Sequence, residues 1–150
     1  MERGYRIVVG VDGSDGGCRA LRWAVAEAGG RDGTVRAITA WHPDNLRRTL
    51  IIANDLADPR RYAEQVLAEA IAAARGEYPR VGVDGEVVRG DPAETLVGAA
   101  SGADLLVLGS HGHGRLARTV LGSVAEAAIH AGVCPVVVVP VRTPPAAKER

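Results

Sequence analysis

The chain has 150 residues, 47% of them apolar, with 18 basic and 18 acidic side chains and no phenylalanine. One domain of that length removes roughly 70% of its unfolded surface from water, and the apolar fraction excludes a disordered chain. Zero net charge and five aromatic residues exclude a general nucleic-acid binder, which relies on a basic face and stacking rings. Two cysteines, Cys18 and Cys134, are too few for a disulfide scaffold. No apolar run has the form of a signal peptide or approaches the ~20 residues of a membrane span. The expectation is a cytoplasmic protein with reduced thiols and no contact with a membrane.

In chain order, the first predicted strand is Arg6–Val11, RIVVGV. The loop Val11-Asp12-Gly13-Ser14 leads into a helix over Asp15–Gly29, whose apolar stripe ends at the stop signal Gly29-Gly30. Thr34–Ala40 is the second strand. The stretch from His42 to Asp58 is long for a connection and carries Leu50-Ile51-Ile52-Ala53, which suits a short helix, a lid or an interface element. Pro59–Gly76 has a 3.6-residue apolar period and reads as the second helix. Val83–Val88 is the third strand. Asp91-Pro92-Ala93-Glu94 is a helix start, with Asp as N-cap, Pro in the first turn and Glu three residues after the cap. Asp104–Gly109 is the fourth strand. Ser123-Val124-Ala125-Glu126 repeats the capping-box spacing, predicting a Ser123 cap on a helix over Val124–Ala131. Pro135–Val141 closes the series.

The first, fourth and fifth strands are nearly unbroken apolar runs, the mark of strands buried on both faces of a parallel sheet. The second and third mix in polar residues, which suits positions nearer an edge. Strands alternating with helices predict a doubly wound α/β fold, one parallel sheet with helices on both faces. Pro135 and Pro140 would each remove a ladder hydrogen bond, so the fifth strand belongs at an edge. Its four valines would be an aggregation hazard if left open, which pairing with a second copy would cure. Residues 1–143 form the expected domain and 144–150 a tail.

In such folds ligands bind beyond the carboxyl ends of the strands, at a switch in the direction of the connections. Two loops there carry suitable residues. One follows the first strand. The other is GSHGHGRLARTVLGS, residues 109–123. Backbone amides can surround a phosphate only where no Cβ intervenes, and a helix N-terminus adds unpaired N–H groups. Gly109, Gly112, Gly114 and Gly122 feeding a helix therefore fit an anion cradle, with Ser110, Ser123, His111, His113 and Arg115 as further donors. The glycines fit an ordinary connection equally well. No lysine precedes Lys148, so this is not a Walker loop, and the turn after the first strand lacks the G-x-G-x-x-G spacing of dinucleotide binders. His111-x-His113 alone is too small a set for a metal site. Cys18, near a helix N-terminus, is read as a packed thiol ahead of a redox sensor.

The spacing Gly109-x2-Gly112-x9-Gly122-Ser123 resembles the ATP-binding branch of the universal stress protein family. Val11-Asp12-Gly13-Ser14, Ala20-Leu21-Arg22-Trp23-Ala24, Gly90-Asp91-Pro92-Ala93 and Cys134-Pro135-Val136-Val137-Val138-Val139 extend the likeness over nearly the whole chain. Frequent family features missing here are a second serine early in the first helix, where Gly17-Cys18 stand, and a glycine at Arg115. The resemblance implies a Rossmann-like nucleotide-binding α-hydrolase-type fold with strand order 3-2-1-4-5, and a homodimer through the Val136–Val139 edge. It puts Gly10 and Asp12 beside the nucleoside and the backbone of Ala40 at the adenine edge. Gly109 and Gly112 fall near ribose and phosphates, and Gly122 and Ser123 on the phosphates. Ser110, His111, His113, Gly114, Arg115 and Val124 lie in the same loop. The function implied is that of an ATP-binding stress-response regulator with slow hydrolysis at most, any Mg²⁺ arriving on the nucleotide. Two alternatives stay open: an adenine-nucleotide hydrolase or transferase using His111 or His113, and a nucleotide-free dimeric interaction module.

Overall fold

The computed structural model describes residues 3–42, 58–110 and 121–140. The apolar run at 50–53, the loop core 111–120 and the expected tail lie outside the described residues. The elements are β1 (Arg6–Gly10), α1 (Asp15–Gly30), β2 (Thr34–Trp41), α2 (Pro59–Ala74) with a 3₁₀ turn (Arg75–Glu77), β3 (Gly82–Arg89), α3 (Pro92–Ala100), β4 (Leu105–Gly109), α4 (Ser123–Ala131) and β5 (Val136–Val139). The five strands pair in parallel in the order β3-β2-β1-β4-β5. Among the described residues, no helix is long and apolar enough to cross a membrane.

Strand alternation sorts the side chains into two layers. Ile7 and Val9 of β1, Val35 and Ala37 of β2 and Leu105 and Val107 of β4 pack under α1 and α2. Val8, Ile38, Leu106 and Leu108 pack under α3 and α4. The helices meet the sheet through small residues, Ala20, Ala24 and Ala28 on α1 and Ala125 and Ala128 on α4. Short side chains let helix backbones lie close to the strands.

The double-sided burial read for β1 and β4 is present: Ile7, Val8 and Val9, and Leu105 to Leu108, are all buried. β5 departs from it. It spans four residues, not the predicted seven, and all four valines are half-buried, because β4 is its one neighbour among the described strands. Its edge position agrees with the flanking prolines. The two strands with mixed polar residues lie toward one edge, β3 at it and β2 one strand in, between β1 and β3. Arg36 is accommodated because its guanidinium reaches Glu86 on β3, with Nε donating to Oε2 at 3.0 Å, on the exposed part of that face.

The Asp91 cap read from the sequence is present, and Asp58 caps α2 in the same way. Asp91 accepts from the Glu94 amide at 3.0 Å and Asp58 from the Arg60 amide at 3.1 Å, each before a proline. Thr39 is an exception to polar satisfaction in the core. It is 5% exposed, and its Oγ1 is a buried side-chain atom without a hydrogen-bond partner among the described residues. A buried unmade hydrogen bond costs free energy that an apolar group of the same shape would not. Thr39→Val is therefore expected to raise the unfolding free energy by about 1 kcal/mol, read by urea denaturation. A loss of stability would show that the hydroxyl is satisfied.

Candidate functional site

α1 leaves β1 toward one face of the sheet and α4 leaves β4 toward the other, and β1 and β4 are neighbours. The switch point therefore lies between Gly10 and Gly109, at the carboxyl ends of the two central strands, where a crevice forms in folds of this type.

On the β1 side the chain makes a tight turn. Gly13 adopts φ 84°, in the left-handed region that favours glycine. The Ser14 amide donates to Asp12 Oδ1 at 2.9 Å, and the Ser14 hydroxyl donates to the same oxygen. Ser14 is also the N-cap of α1, accepting from the Gly17 amide at 3.2 Å. Asp12 itself is exposed. Asp12 thus organises the turn through Ser14, and these bonds fix the direction of its carboxylate.

Two site glycines have packing reasons. A Cβ on Gly109 would lie 2.7 Å from the carbonyl carbon and 2.8 Å from the oxygen of Gly16, in the first turn of α1. A Cβ on Gly10 would lie 2.7 Å from Leu96 Cδ1 and 3.0 Å from Leu108 Cδ2. The first neighbour is backbone and the second a pair of side-chain ends.

On the β4 side, the two ends of the glycine-rich loop are fastened together. The Ser110 amide donates to the Val139 carbonyl at 3.0 Å, and the Gly122 amide donates to the Ser110 carbonyl at 2.6 Å. Those two amides are thereby committed within the protein. Ser110 is 6% exposed. His111, Gly112, His113, Gly114 and Arg115 lie outside the described residues.

The predicted Ser123 cap is corrected. Gly122 is the N-cap, with φ −72° and ψ 161°, and its carbonyl accepts from Glu126 at 3.1 Å, so Ser123 already lies within the helix. Among the described residues, no side chain caps this end of α4. The first-turn amides of a helix have no intrahelical acceptor and carry the positive end of its dipole. Ser123 and Val124 bring such amides to the carboxyl edge, beside the β4 terminus.

Ala40 sits near the end of β2, half-buried and in register with Val88. Next to it is a feature that the sequence did not single out. Trp41 and Arg89 end β2 and β3 in register, and the guanidinium lies 5.7 Å from the indole centroid. A strand-terminal Trp opposite a strand-terminal Arg was the available signal, but it needs the register to be known. Near the turn, burial pushes the Cys18 thiol up; Arg22 opposes this, while Asp12 and Asp15 add to it. A thiol raised in this way stays protonated at neutral pH, in keeping with a packed residue and against an activated one.

The contact at Gly109 sets a test. Gly109→Ala forces backbone apart and is expected to destabilise the fold by about 1–3 kcal/mol, whereas Gly10→Ala displaces only leucine methyls and costs less. Urea unfolding of both variants checks this ordering, and the reverse ordering would refute the packing assignment.

The universal stress protein family model matches residues 5–140. Universal stress protein Rv2005c of Mycobacterium tuberculosis is 37% identical over 132 residues, which cover 88% of this chain and 44% of that protein. A Mycolicibacterium smegmatis universal stress protein is 30% identical over 142 residues, 90% of this chain and 48% of its own length. The chain thus spans about half the length of the curated relatives it matches. Among solved structures, a universal stress protein in complex with cAMP superposes with TM-score 0.68 at 28% identity, covering 94% of this chain and all of its own. The Archaeoglobus fulgidus universal stress protein in complex with dAMP superposes with TM-score 0.66 at 23% identity over 92% of this chain and 98% of its own. Hypothetical protein MJ0577 shares the fold, with TM-score 0.72 at 24% identity over 93% and 98% of the two chains. With the family matched from the first strand to the last, and the strand order and switch point in place, the chain belongs to the universal stress protein family.

Proposed function

We propose that this chain is an adenine-nucleotide-binding regulatory module of the stress response, that its nucleotide is ATP, and that any hydrolysis is slow. The observation that carries the reading is the bond from Gly122 N to Ser110 O. It brings both ends of the glycine-rich loop to one point, directly before a helix whose first turn no described side chain caps. Uncapped amides at a helix start fit phosphate oxygens. The cAMP and dAMP complexes of relatives support an adenine nucleotide in general.

In this reading the amides and hydroxyl of Ser123 and Val124 meet phosphate. Gly109, Ser110 and Gly112 line the ribose and phosphates, with His111, His113, Gly114 and Arg115 around them. Asp12 and Gly10 flank the nucleoside, and the Ala40 backbone meets the adenine edge. Mg²⁺ would arrive on the phosphates, holding mostly water as that ion does. The only lysine is Lys148, so no Walker lysine supports transfer of the γ-phosphoryl group. The protein would act in the cytoplasm by changing its contacts with nucleotide state.

The companion proposal is a homodimer through β5, Val136–Val139. The carbonyls of Pro135 and Val139, at the two ends of β5, accept from the β4 side. In a parallel strand the intervening even residues then turn their backbone groups to the open edge. Ile129 and Val133, 50% and 41% exposed, lie on α4 and the turn before this edge.

Protein stripped of prebound ligand is expected to bind ATP and AMP by calorimetry, and native protein to release an adenine nucleotide on denaturation, seen by mass spectrometry. Gly122→Val is expected to abolish binding while the protein stays folded, because φ −72° and ψ 161° suit valine. Failure of the wild-type protein to bind any adenine nucleotide would overturn the assignment. Val138→Pro removes one outward amide and is expected to give a folded monomer in analytical ultracentrifugation; an unchanged dimer would place the interface elsewhere.

A further inference from the structure

We infer that Ser14 is a positioning residue for Asp12, a role that rests on the nucleotide reading above. A serine hydroxyl offers one donor and two acceptor sites. Capping α1 uses an acceptor site, filled by the Gly17 amide at 3.2 Å. The donor is surplus to the cap, and it goes to Asp12 Oδ1, which the Ser14 amide also reaches at 2.9 Å.

The carboxylate is held from a third side by space. A Cβ on Gly17 would lie 2.9 Å from Asp12 Oδ1 and 3.2 Å from the Asp12 nitrogen. Asp12 therefore lies against the bare backbone of the first turn, and Gly13, at φ 84°, makes the turn that folds it there. One hydroxyl joins the helix cap to the direction of the carboxylate. Ser14 touches no ligand in this scheme; it sets where Asp12 presents itself to one.

The two jobs of the hydroxyl separate chemically. Asp caps a helix about as well as Ser but, ionised, has no proton to donate. Thr keeps both functions, and Ala has neither. ATP titrated into wild-type protein and into Ser14→Thr, Ser14→Asp and Ser14→Ala, with thermal unfolding of each in the absence of nucleotide, separates them. Expected are Ser14→Thr binding within about twofold of wild type and Ser14→Asp, whose carboxylate meets that of Asp12, melting no lower than Ser14→Ala but binding about tenfold more weakly than wild type. Ser14→Ala should lose both binding and stability. The Ser14→Asp loss should persist at about 0.5 M NaCl, where repulsion between the added carboxylate and nucleotide phosphates beyond a Debye length is screened. Wild-type affinity in Ser14→Asp overturns the assignment. So does a loss that vanishes in salt, or affinities that follow melting temperature across all three variants. Absence of ATP binding by the wild-type protein is a different failure; it overturns the nucleotide reading and this inference with it.

Discussion

The close approach of α1 to β4 governs the carboxyl edge of this molecule. A Cβ on Gly109 would lie 2.7 Å from the Gly16 backbone in the first helical turn, so the helix that follows β1 rests on the end of β4. That contact is backbone against backbone, and no side-chain rearrangement can relieve a larger residue there. It holds the Asp12 turn and the start of the glycine-rich loop in one place although the two segments lie far apart in the chain. The bond from Gly122 to Ser110 then returns the loop to the same place.

Much of this was legible in the sequence because the physics is local. Ile7 to Val9 and Leu105 to Leu108 have no polar interruption, since both faces of those strands are covered. Asp91 before Pro92, with Glu94 at the third position, announces a helix start and makes one. Ser123 shows where such spacing fails. Ser-x-x-Glu reads the same whether the serine caps the helix or occupies its first position, and only backbone dihedrals decide, in favour of Gly122. β2 keeps the pattern in another way, lying one strand in from the β3 edge. Arg36 looks like an edge residue until Glu86 on the neighbouring strand supplies its partner.

The candidate site was less legible than the fold. Glycine spacing marks the loop but does not say why each glycine is there. Gly109 answers to Gly16, and Gly10 to Leu96 and Leu108, contacts between separate elements that a linear pattern does not show. The strand order came from family resemblance, since five alternating β-α units admit several orders. The Trp41–Arg89 pair depends on the β2–β3 register, which the sequence does not print. By contrast, the Asp12–Ser14 turn is a local event, and its chemistry could be read from the side chains alone.

The N-terminal strand sits in the middle of the sheet, and this has a kinetic meaning. β1 joins β2 early in the chain but meets β4 only through pairs such as Ile7 with Leu105, and the Arg6 amide reaches Asp104 across 98 residues. Contacts of such long separation are slow to form, because loop closure precedes any reward. The β1–β2 half can assemble while synthesis is still under way, but the crevice comes into being only when the last third of the chain docks. A ligand of that crevice would meet a domain whose β4 and α4 have already docked, so its capture would report that docking as well as the supply of ligand.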